Sequence, residues 1–268
     1  EIERALHHKR GTTQTRIEPT HPPSMVASSP AMNAVLQMVD KVAPSNAPIM
    51  ILGESGVGKE LVARALHERS DRQSKAFVAV NCAAIPSELI ESELFGHMKG
   101  SFTGAVADHA GKFEQAQDGT LFLDEIGDMS LDAQAKVLRA LEEGFVTRVG
   151  GSKAITVDVR VFAATNKDLP KEITEGRFRE DLFYRLNVVP IVVPPLRERR
   201  EDVRPLVTYF VSQAVRSNHG ALKAIEDGAM ERLEALDWAG NVRELRNTVE
   251  RLLILSPGDA IRADDVDA

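Results

Sequence analysis

The chain of 268 residues contains a single cysteine, Cys82, and only one tryptophan and two tyrosines. One cysteine excludes a disulfide bond within the chain and fits a reducing compartment, so we expect a cytoplasmic protein. The seven histidines show no spacing of paired Cys or His ligands, which argues against a structural zinc site. A buried position for Cys82 after a strand is a better interpretation than a nucleophile.

Long apolar runs and an excess of basic residues are also absent. No apolar run approaches the length of about 18 residues that indicates a membrane-spanning helix, so we expect no membrane contact. Lysine and arginine number 33 against 40 aspartate and glutamate residues, which gives a net charge of −7. Binding to a nucleic-acid backbone requires clustered positive charge, so we do not expect this chain itself to bind DNA.

Short apolar segments alternate with amphipathic helical patterns from residue 25 to residue 195. This alternation predicts an α/β domain, with a parallel sheet covered by helices on both faces. Only helical patterns follow, which predicts a smaller all-helical domain over residues 196–260. The predicted strands are 49–52, 77–81, 120–124, 159–165 and 191–193. The predicted helices are 32–42, 59–69, 86–96, 131–143, 168–186, 202–217, 226–236 and 241–255.

The most informative segment has the spacing G-x-x-x-x-G-K of a phosphate-binding loop. It reads Gly53-Glu54-Ser55-Gly56-Val57-Gly58-Lys59-Glu60 and lies between a predicted strand and a predicted helix. Glycines let backbone N–H groups converge on phosphate oxygens, the helix N-terminus adds positive potential, and Lys59 reaches the terminal phosphates. Glu60 stands where most such loops place Ser or Thr beside Mg²⁺. A tight turn without a nucleotide is the plainer alternative, and the flanking elements argue against it.

Polar residues follow three of the predicted strands. The apolar strand 120–124 ends in Asp124, followed by Glu125, at the carboxyl edge of the sheet where such sheets bind ligands. We expect Asp124 to hold a metal and Glu125 to polarise the attacking water. Asn81 and Asn166 close two other strands, and an amide there can hydrogen-bond a water or a carboxylate without adding charge. Taken singly, each asparagine is as well explained as a turn former.

Residues 176–185 are rich in arginine. A guanidinium suits phosphoryl transfer because its fork stabilises charge on the transferred group, and such a finger can come from a neighbouring subunit. Ion pairs with Glu180 and Asp181 at helical spacing are the alternative. The pattern alone leaves both interpretations open.

A further segment connects these patterns to one family. Glu93-Leu94-Phe95-Gly96-His97 is followed by Gly100-Ser101-Phe102-Thr103-Gly104-Ala105. The second part resembles the GAFTGA signature of bacterial enhancer-binding proteins, with Ser101 in place of the usual alanine. From about residue 25 to 260 the chain resembles the central AAA+ ATPase domain of these proteins, the activators of sigma-54 RNA polymerase in the NtrC group. Generic AAA+ proteins lack the six-residue element, so the resemblance is specific.

The resemblance implies a role for each matching residue. Lys59 resembles the Walker A lysine, and Glu60 is usual at that position in this family. Asp124 and Glu125 resemble the Walker B pair, with Asp124 as the main protein ligand of Mg²⁺. Asn81 matches the asparagine that holds the catalytic glutamate in an inactive pose, Asn166 matches sensor I, Arg179 and Arg185 match two candidate trans-acting fingers, and Arg243 matches sensor II of a helical lid.

The resemblance also implies ATP and Mg²⁺ as cofactors and a homo-oligomeric ring, hexamer or heptamer. Sigma-54 with its RNA polymerase holoenzyme is the implied partner, touched by Phe102 and Thr103. Two glycines around a Phe-Thr pair independently favour an exposed contact loop over a ring folded into the core. Residues 1–24 resemble the helix and linker after a regulatory domain such as a receiver. Residues 261–268 resemble a connector toward a DNA-binding domain.

Two alternative functions remain. One is another AAA+ remodelling motor, such as a helicase loader or a chelatase-type motor, against which only residues 100–105 argue strongly. The other is a nucleotide-gated scaffold that does not hydrolyse ATP. The presence of Glu125 and of both candidate finger arginines argues against the scaffold.

Overall fold

A computed structural model describes residues 25–216 and 223–267. The linker helix and linker expected over residues 1–24 lie outside the described residues. The strands are β1 (Ile49–Leu52), β2 (Phe77–Asn81), β3 (Gly96–His97), β4 (His109–Ala110), β5 (Thr120–Asp124), β6 (Phe145–Thr147), β7 (Ala154–Thr156), β8 (Arg160–Thr165), β9 (Val189–Val192), β10 (Ala224–Ile225) and β11 (Ala260–Ile261). The α-helices are α1 (Pro30–Val42), α2 (Lys59–Glu68), α3 (Ser87–Phe95), α4 (Lys112–Gln115), α5 (Leu131–Glu143), α6 (Leu169–Thr174), α7 (Glu180–Leu186), α8 (Val203–Arg216), α9 (Asp227–Ala235), α10 (Asn241–Leu255) and α11 (Ala263–Asp267).

The predicted parallel sheet is confirmed. Five strands pair in the order β2-β5-β8-β1-β9, and every neighbouring pair is parallel. The register places Asn81 opposite Asp124 and Leu52 opposite Thr165. Because all the strands run the same way, their carboxyl ends meet at one edge of the sheet, and the polar strand ends meet there too.

Helices cover both faces of this sheet because its strands are apolar on both sides. In β1, Met50 belongs to the core cluster beneath α3, α5 and α7. Its neighbours Ile49 and Ile51 belong to the opposite cluster, beneath α1 and α2. All three residues are fully buried, and each such side chain contributes about 1.5–3 kcal/mol to folding by leaving water.

The helices begin and end at residues suited to those positions. The Ser29 hydroxyl accepts a hydrogen bond from the backbone N–H of Met32, and Pro30 occupies the first position of α1. Helix α5 is capped by Ser130 and ends at Gly144, which has a φ of 69°. Among residues 25–216 and 223–267, no helix combines the length and apolarity needed to cross a membrane.

The predicted helix over residues 168–186 is wrong, because the structure divides it into α6 and α7. Gly176 adopts a φ of 71°, in the left-handed region that stops a helix. The carbonyl of Glu172 then accepts from the backbone N–H groups of both Arg177 and Phe178. This break places Arg179 at the start of α7 rather than in mid-helix.

The helical domain that follows the sheet is confirmed, with two differences from the prediction. Helices α8, α9 and α10 surround an apolar core that includes Trp238, whose Nε1 donates to the carbonyl oxygen of Leu233 at 2.8 Å. Strands β10 and β11 form a short parallel pair at its edge, so the domain is not purely helical. Residues 261–267, expected as part of a connector, contain the end of β11 and α11, and Ile261 is fully buried in the core.

Candidate functional site

The loop between β1 and α2 folds around the ammonium group of Lys59. This side chain is 6% exposed, and its Nζ donates to the carbonyl oxygens of Gly53 at 3.0 Å and Glu54 at 3.3 Å. Gly56 and Gly58 have φ values of 79° and 104°, which only glycine adopts easily. The loop therefore delivers a positive charge to the N-terminus of α2, where the first backbone N–H groups have no partner inside the helix.

Asp124 and Glu125 lie at the carboxyl end of β5, beside Lys59. Glu125 Oε1 lies 3.4 Å from Lys59 Nζ, and Glu125 Oε2 accepts from the backbone N–H of Asn166 at 3.3 Å. Glu125 adopts a φ of 50°, a conformation that costs a residue with a side chain about 1–2 kcal/mol. Burial and, next, the charge of Glu125 raise the pKa of Asp124, while Lys59 opposes the shift. Two carboxylates thus lie near a single ammonium group. Their oxygens are a donor set suited to a divalent cation.

The two asparagines have different surroundings. Asn166 supplies its backbone N–H to Glu125. The side-chain oxygen of Asn81 accepts from the backbone N–H groups of Ala83 and Ala84, at 3.0 and 3.1 Å, and so begins the short 3-10 helix 82–84. Asn81 lies opposite Asp124 in register, yet Glu125 is held here by Lys59 and Asn166. The expected hold of Asn81 on Glu125 is therefore not the arrangement of this conformation, because the asparagine oxygen serves its own turn.

The two candidate finger arginines lie outside the nucleotide loop. The guanidinium of Arg179 binds both carboxylate oxygens of Asp181, at 3.0 and 2.7 Å. Arg185 donates to the carbonyl oxygen of Leu141 at 2.8 Å. The Arg179–Asp181 pair is local but spans only two residues, so it is not the expected pair at helical spacing. The Arg179 side chain is 41% exposed, and its role as a finger stays a prediction.

A glutamine that the sequence analysis missed holds the turn before α7. The Gln134 side chain is fully buried, and its Nε2 donates to the carbonyl oxygens of Met129 at 2.7 Å and Arg177 at 3.0 Å. Its Oε1 accepts from the backbone N–H of Arg179 at 2.8 Å. The available signal was a polar residue on the apolar face of the predicted helix 131–143.

The helical domain closes over the phosphate loop as a lid. Arg243 Nη1 donates to the Ser55 hydroxyl at 3.1 Å, and Asn241 Nδ2 donates to the Ser55 carbonyl at the same distance. A Cβ on Gly56 would lie 2.3 Å from the carbonyl oxygen of Gly240, so the two backbones nearly touch. Arg243 was predicted from sequence, whereas Asn241 was missed because it looked like the ordinary first residue of a helix.

A cavity of about 960 Å³ separates the lid from the sheet domain. Its charged lining residues include Lys59, Asp124 and Glu125, together with Glu60 and Arg243. Its apolar lining comes from the chain before α1 and from the lid. The main apolar lining residues are Val26, Leu206, Phe210 and Leu253. A cavity of this size that is lined by both charged and apolar side chains suits a small amphipathic ligand.

Residues 100–105 form a closed turn at the molecular surface. The backbone N–H of Gly100 donates to the Ala105 carbonyl at 2.8 Å, and the N–H of Ala105 donates to the Phe102 carbonyl at 3.0 Å. The Phe102 side chain is 37% exposed, and its ring meets the His97 ring edge-on with centroids 4.9 Å apart. Thr103 and Gly104 are exposed at the tip.

The base of this turn is joined to the β6–β7 hairpin, which the sequence analysis missed. The backbone N–H of Met98 donates to the Val149 carbonyl at 3.0 Å, and the N–H of Val149 donates to the Gly96 carbonyl at 2.9 Å. Ser101 lies so close to Gly150 that a Cβ there would be 2.6 Å from the Ser101 Cβ. Strands β3 and β4, which pair antiparallel on either side of this turn, have two residues each, and β6 and β7 have three each. These strands are too short to show a period of two.

Comparison with protein families agrees with these observations. Residues 25–192 match the model described as the sigma-54 interaction domain, and residues 197–268 match the model described as an AAA+ ATPase lid domain. The chain belongs to the sigma-54 interaction domain family. The resemblance inferred from residues 53–60 and 100–105 is thereby confirmed.

Curated relatives cover nearly the whole chain. The chain is 53% identical over 243 residues to the DNA-binding transcriptional regulator NtrC of Rhizobium meliloti, which is 91% of this chain and 50% of that protein. It is 50% identical over 261 residues to the transcriptional regulatory protein ZraR of Klebsiella oxytoca, which is 97% of this chain and 59% of that protein. The chain thus spans about half the length of the curated relatives it matches.

Solved structures show the same architecture. NtrX of Brucella abortus in complex with ATP superposes with a TM-score of 0.83 at 45% identity, covering 90% of this chain and 53% of that chain. NtrX in complex with ADP gives a TM-score of 0.84 at 46% identity, covering 90% and 54%. A sheet with helices and a helical lid is therefore shared with a protein that has been crystallised with both nucleotides.

Proposed function

We propose that this chain is the ATP-hydrolysing motor module of a cytoplasmic sigma-54-dependent transcriptional activator. It assembles as a homo-oligomeric ring and uses ATP hydrolysis to remodel the closed promoter complex of sigma-54 RNA polymerase. The observation that carries this proposal is the convergence of Lys59, Asp124 and Glu125 beneath a lid, in a chain that also presents residues 100–105. The negative net charge supports a DNA contact made by a separate domain rather than by this one.

ATP fits the mixed charged and apolar lining of the cavity. Its triphosphate would lie against the loop residues 53–60, whose lysine is already buried among carbonyl oxygens and beside one carboxylate. Its base would lie against the apolar lining, near Val26 and Phe210. The match to NtrX, which was crystallised with ATP, supports ATP as the ligand.

The carboxylates suit Mg²⁺. Asp124 carries a raised pKa because burial and Glu125 disfavour its charge, and a divalent cation would relieve both effects. Asp124 would hold this ion, with Glu60 at the wall of the same cavity. When bound, Mg²⁺ neutralises charge that develops on the transferred phosphoryl oxygens.

Glu125 is the proposed base that orients and deprotonates the attacking water. The Lys59 ammonium donates to one oxygen of its carboxylate, and the Asn166 backbone N–H donates to the other. Its role requires release of at least one of these bonds, so the conformation described here represents a restrained glutamate. Asn81 and Asn166 are the proposed sensors of that change.

The finger arginine is proposed to come from a neighbouring subunit. Arg179 and Arg185 do not line the cavity, which is formed by described residues of the loop, the sheet and the lid. Each guanidinium binds a partner on its own or an adjacent helix and stays accessible at the surface. A ring supplies what a single subunit lacks, since one subunit's arginine completes the next subunit's site.

Steady-state phosphate release tests the enzymatic part of the proposal. We expect the rate per subunit to rise with protein concentration, because ring assembly completes each site. Lys59→Ala should lose ATP binding, and Glu125→Gln should bind ATP but hydrolyse it at least about 10²-fold more slowly. Lys41→Ala, at an exposed lysine of α1, serves as the control. ATP binding without hydrolysis by the wild type would favour the nucleotide-gated scaffold.

Residues 100–105 are tested separately. Phe102→Ala should leave phosphate release unchanged and should abolish capture of sigma-54 in the presence of an ATP transition-state analogue. Val106→Ala, at a neighbouring side chain that is 82% exposed, is the matched control. Capture of sigma-54 by the Phe102 variant at the wild-type level would contradict the loop assignment, whereas a wild type that fails to capture sigma-54 would favour another AAA+ remodelling motor.

A further inference from the structure

The side chain of Glu54 binds the lid, although the residue belongs to the phosphate loop. Its Oε2 accepts from Arg197 Nη1 at 2.8 Å, and its Oε1 accepts from Arg197 Nη2 at 2.6 Å. Asn241 Nδ2 donates to Oε2 at 3.1 Å. The hydrogen bonds from Arg197, followed by that from Asn241, hold the pKa of Glu54 at about 2. The carboxylate is therefore ionised and engaged with two lid residues near neutral pH.

Asn241 joins three parts of the structure through one amide. It is fully buried and has a φ of 55°, so its position is tightly defined. Its Oδ1 accepts from the backbone N–H of Leu196, where the lid begins, at 2.7 Å. Its Nδ2 reaches both the Glu54 carboxylate and the Ser55 carbonyl. The loop, the start of the lid and helix α10 thus share one hydrogen-bonded centre.

Arg243 follows Asn241 in the first turn of α10 and reaches the Ser55 hydroxyl at 3.1 Å. The position of this guanidinium depends on where the first turn of α10 lies. That turn is fixed against the loop by Glu54 and by the close approach of Gly56 to Gly240. A shift of the lid away from Glu54 would therefore carry Arg243 away from Ser55 and the phosphate loop.

We propose that Glu54 is a positioning residue that clamps the lid to the phosphate loop through Arg197 and Asn241, and so places Arg243 at the bound nucleotide. The inference rests on the proposed ATP-binding function and extends it. The Arg197 and Glu54 side chains are 40% and 42% exposed, and such an accessible pair adds little to folding stability. Its main effect is on geometry, because a bidentate guanidinium–carboxylate pair fixes both the distance and the orientation of the lid relative to the phosphate loop.

A double-mutant cycle separates this role from a merely structural one. Glu54→Gln removes the charge and one acceptor of the fork but leaves Lys59, Asp124 and Glu125 intact. We expect this substitution to lower ATP affinity about tenfold, and we expect Arg243→Ala to lower it by a similar factor. If Glu54 acts by placing Arg243, the double variant should be no worse than Arg243→Ala alone, because coupled residues are not additive.

The experiment uses fluorescent-ATP titration and phosphate release on the full chain, with thermal unfolding to verify folding. Arg197→Gln should reproduce the Glu54→Gln effect from the lid side, and it replaces that variant if Glu54→Gln does not fold. The exchanged pair, Glu54→Arg with Arg197→Glu, should recover part of the affinity. Glu234→Gln breaks the 2.8 Å pair with Arg204 inside the lid and should change neither readout.

Three results would overturn the inference. One is wild-type ATP affinity in both single variants, and another is a double variant whose loss is the product of the two single losses. The third is an effect of Glu234→Gln equal to that of Glu54→Gln, which would indicate general loosening of the lid. A wild-type chain that fails to bind ATP would contradict the proposed function itself and this inference with it.

Discussion

Asp124 carries its charge in surroundings that disfavour it. Burial and the neighbouring Glu125 raise its folded-state pKa above the ordinary value. A group whose folded pKa is raised contributes most to stability below its unfolded pKa, and that contribution is lost as pH rises through the folded pKa. The ionised carboxylate therefore costs folding stability in the absence of a bound cation. We interpret this cost as a consequence of building a metal-binding position.

Asp124→Asn should raise the melting temperature at neutral pH and abolish ATP hydrolysis. The amide removes both the desolvated charge and its repulsion of Glu125, but it is a poor ligand for Mg²⁺. Thermal unfolding across pH checks the sign, since the advantage of the variant should shrink as the pH falls and Asp124 is protonated. Asp71→Asn, at an exposed position, is the control. A lower melting temperature for Asp124→Asn at neutral pH would refute this interpretation.

Gly56 provides a second prediction at the residue scale. Its φ of 79° resembles the 75° of Gly258, so an alanine costs about 1 kcal/mol of backbone strain at either position. The two sites differ in their surroundings. A Cβ added at Gly56 would lie 2.3 Å from the carbonyl oxygen of Gly240, whereas no atom lies within 4 Å of a Cβ added at Gly258. Gly56→Ala should thus destabilise by about 1–3 kcal/mol more than Gly258→Ala. Urea unfolding of both variants measures this difference, and equal losses would show that the lid approach is unimportant.

At the scale of elements, Gln134 shows how one side chain positions a helix. It satisfies the carbonyl of Arg177 and the N–H of Arg179 immediately before α7. Gln134→Leu keeps a similar side-chain volume but leaves these backbone groups without that partner. Each buried group without a hydrogen bond lowers the free energy of unfolding by about 1–3 kcal/mol. We expect a melting temperature several degrees lower and slower ATP hydrolysis, because both proposed finger arginines lie on or beside α7.

The control for this prediction is Gln37→Leu, at an exposed glutamine of α1. It makes the same chemical change without removing a buried hydrogen bond, so it should leave both readouts close to wild type. Thermal unfolding and phosphate release measured together separate the two effects. A Gln134 variant with unchanged stability would contradict the role of this side chain in holding the turn before α7.

Most of the regular elements could be predicted because their apolar residues repeat with a clear period. Strands 49–52, 77–81 and 120–124 and helices 131–143 and 241–255 have the predicted bounds. The break between α6 and α7 was missed because the residues on either side of it favour a helix. The turn there also depends on the buried side chain of Gln134 in α5. The two-residue strands have no period to detect, and their pairing is decided by the surrounding fold.

At the scale of the whole molecule, the proposed ring makes a prediction about mixtures. A subunit with Arg179→Ala and Arg185→Ala keeps Lys59 and Glu125 but lacks fingers, whereas a Glu125→Gln subunit keeps its fingers. Each alone should be nearly inactive. In an equal mixture, about a quarter of the interfaces would join an intact site to an intact finger, so about a quarter of the wild-type phosphate-release rate should return.

The control mixture contains the Glu125→Gln and Lys59→Ala subunits, which both lack a working site and should stay inactive together. Activity recovered by the first mixture and absent from the second would require fingers supplied in trans. A first mixture that remains inactive while wild-type subunits exchange would instead place the arginines in the same subunit as the site they serve.

The candidate site could be predicted only where its residues belong to short motifs. Lys59, Asp124 and Glu125 follow recognisable strands, and the structure brings them together at one sheet edge. The partners that shape the site are distant in sequence, with Glu54 separated from Arg197 by 143 residues and from Asn241 by 187. No local pattern reports such pairs, because they form only when the lid packs on the sheet domain.

The buried cysteine has a practical consequence for measuring the position of the lid. Cys82 is 3% exposed, and burial, with smaller contributions from nearby carboxylates, raises the pKa of its thiol to about 12. Because the thiolate is the reactive form, the native residue should react slowly with maleimide dyes. Cysteines introduced at Leu131 on α5 and Leu255 on the lid, which are 46% and 71% exposed, could then be labelled selectively. The scarcity of cysteine thus makes the unmodified chain a suitable background for measuring lid movement by energy transfer between two dyes.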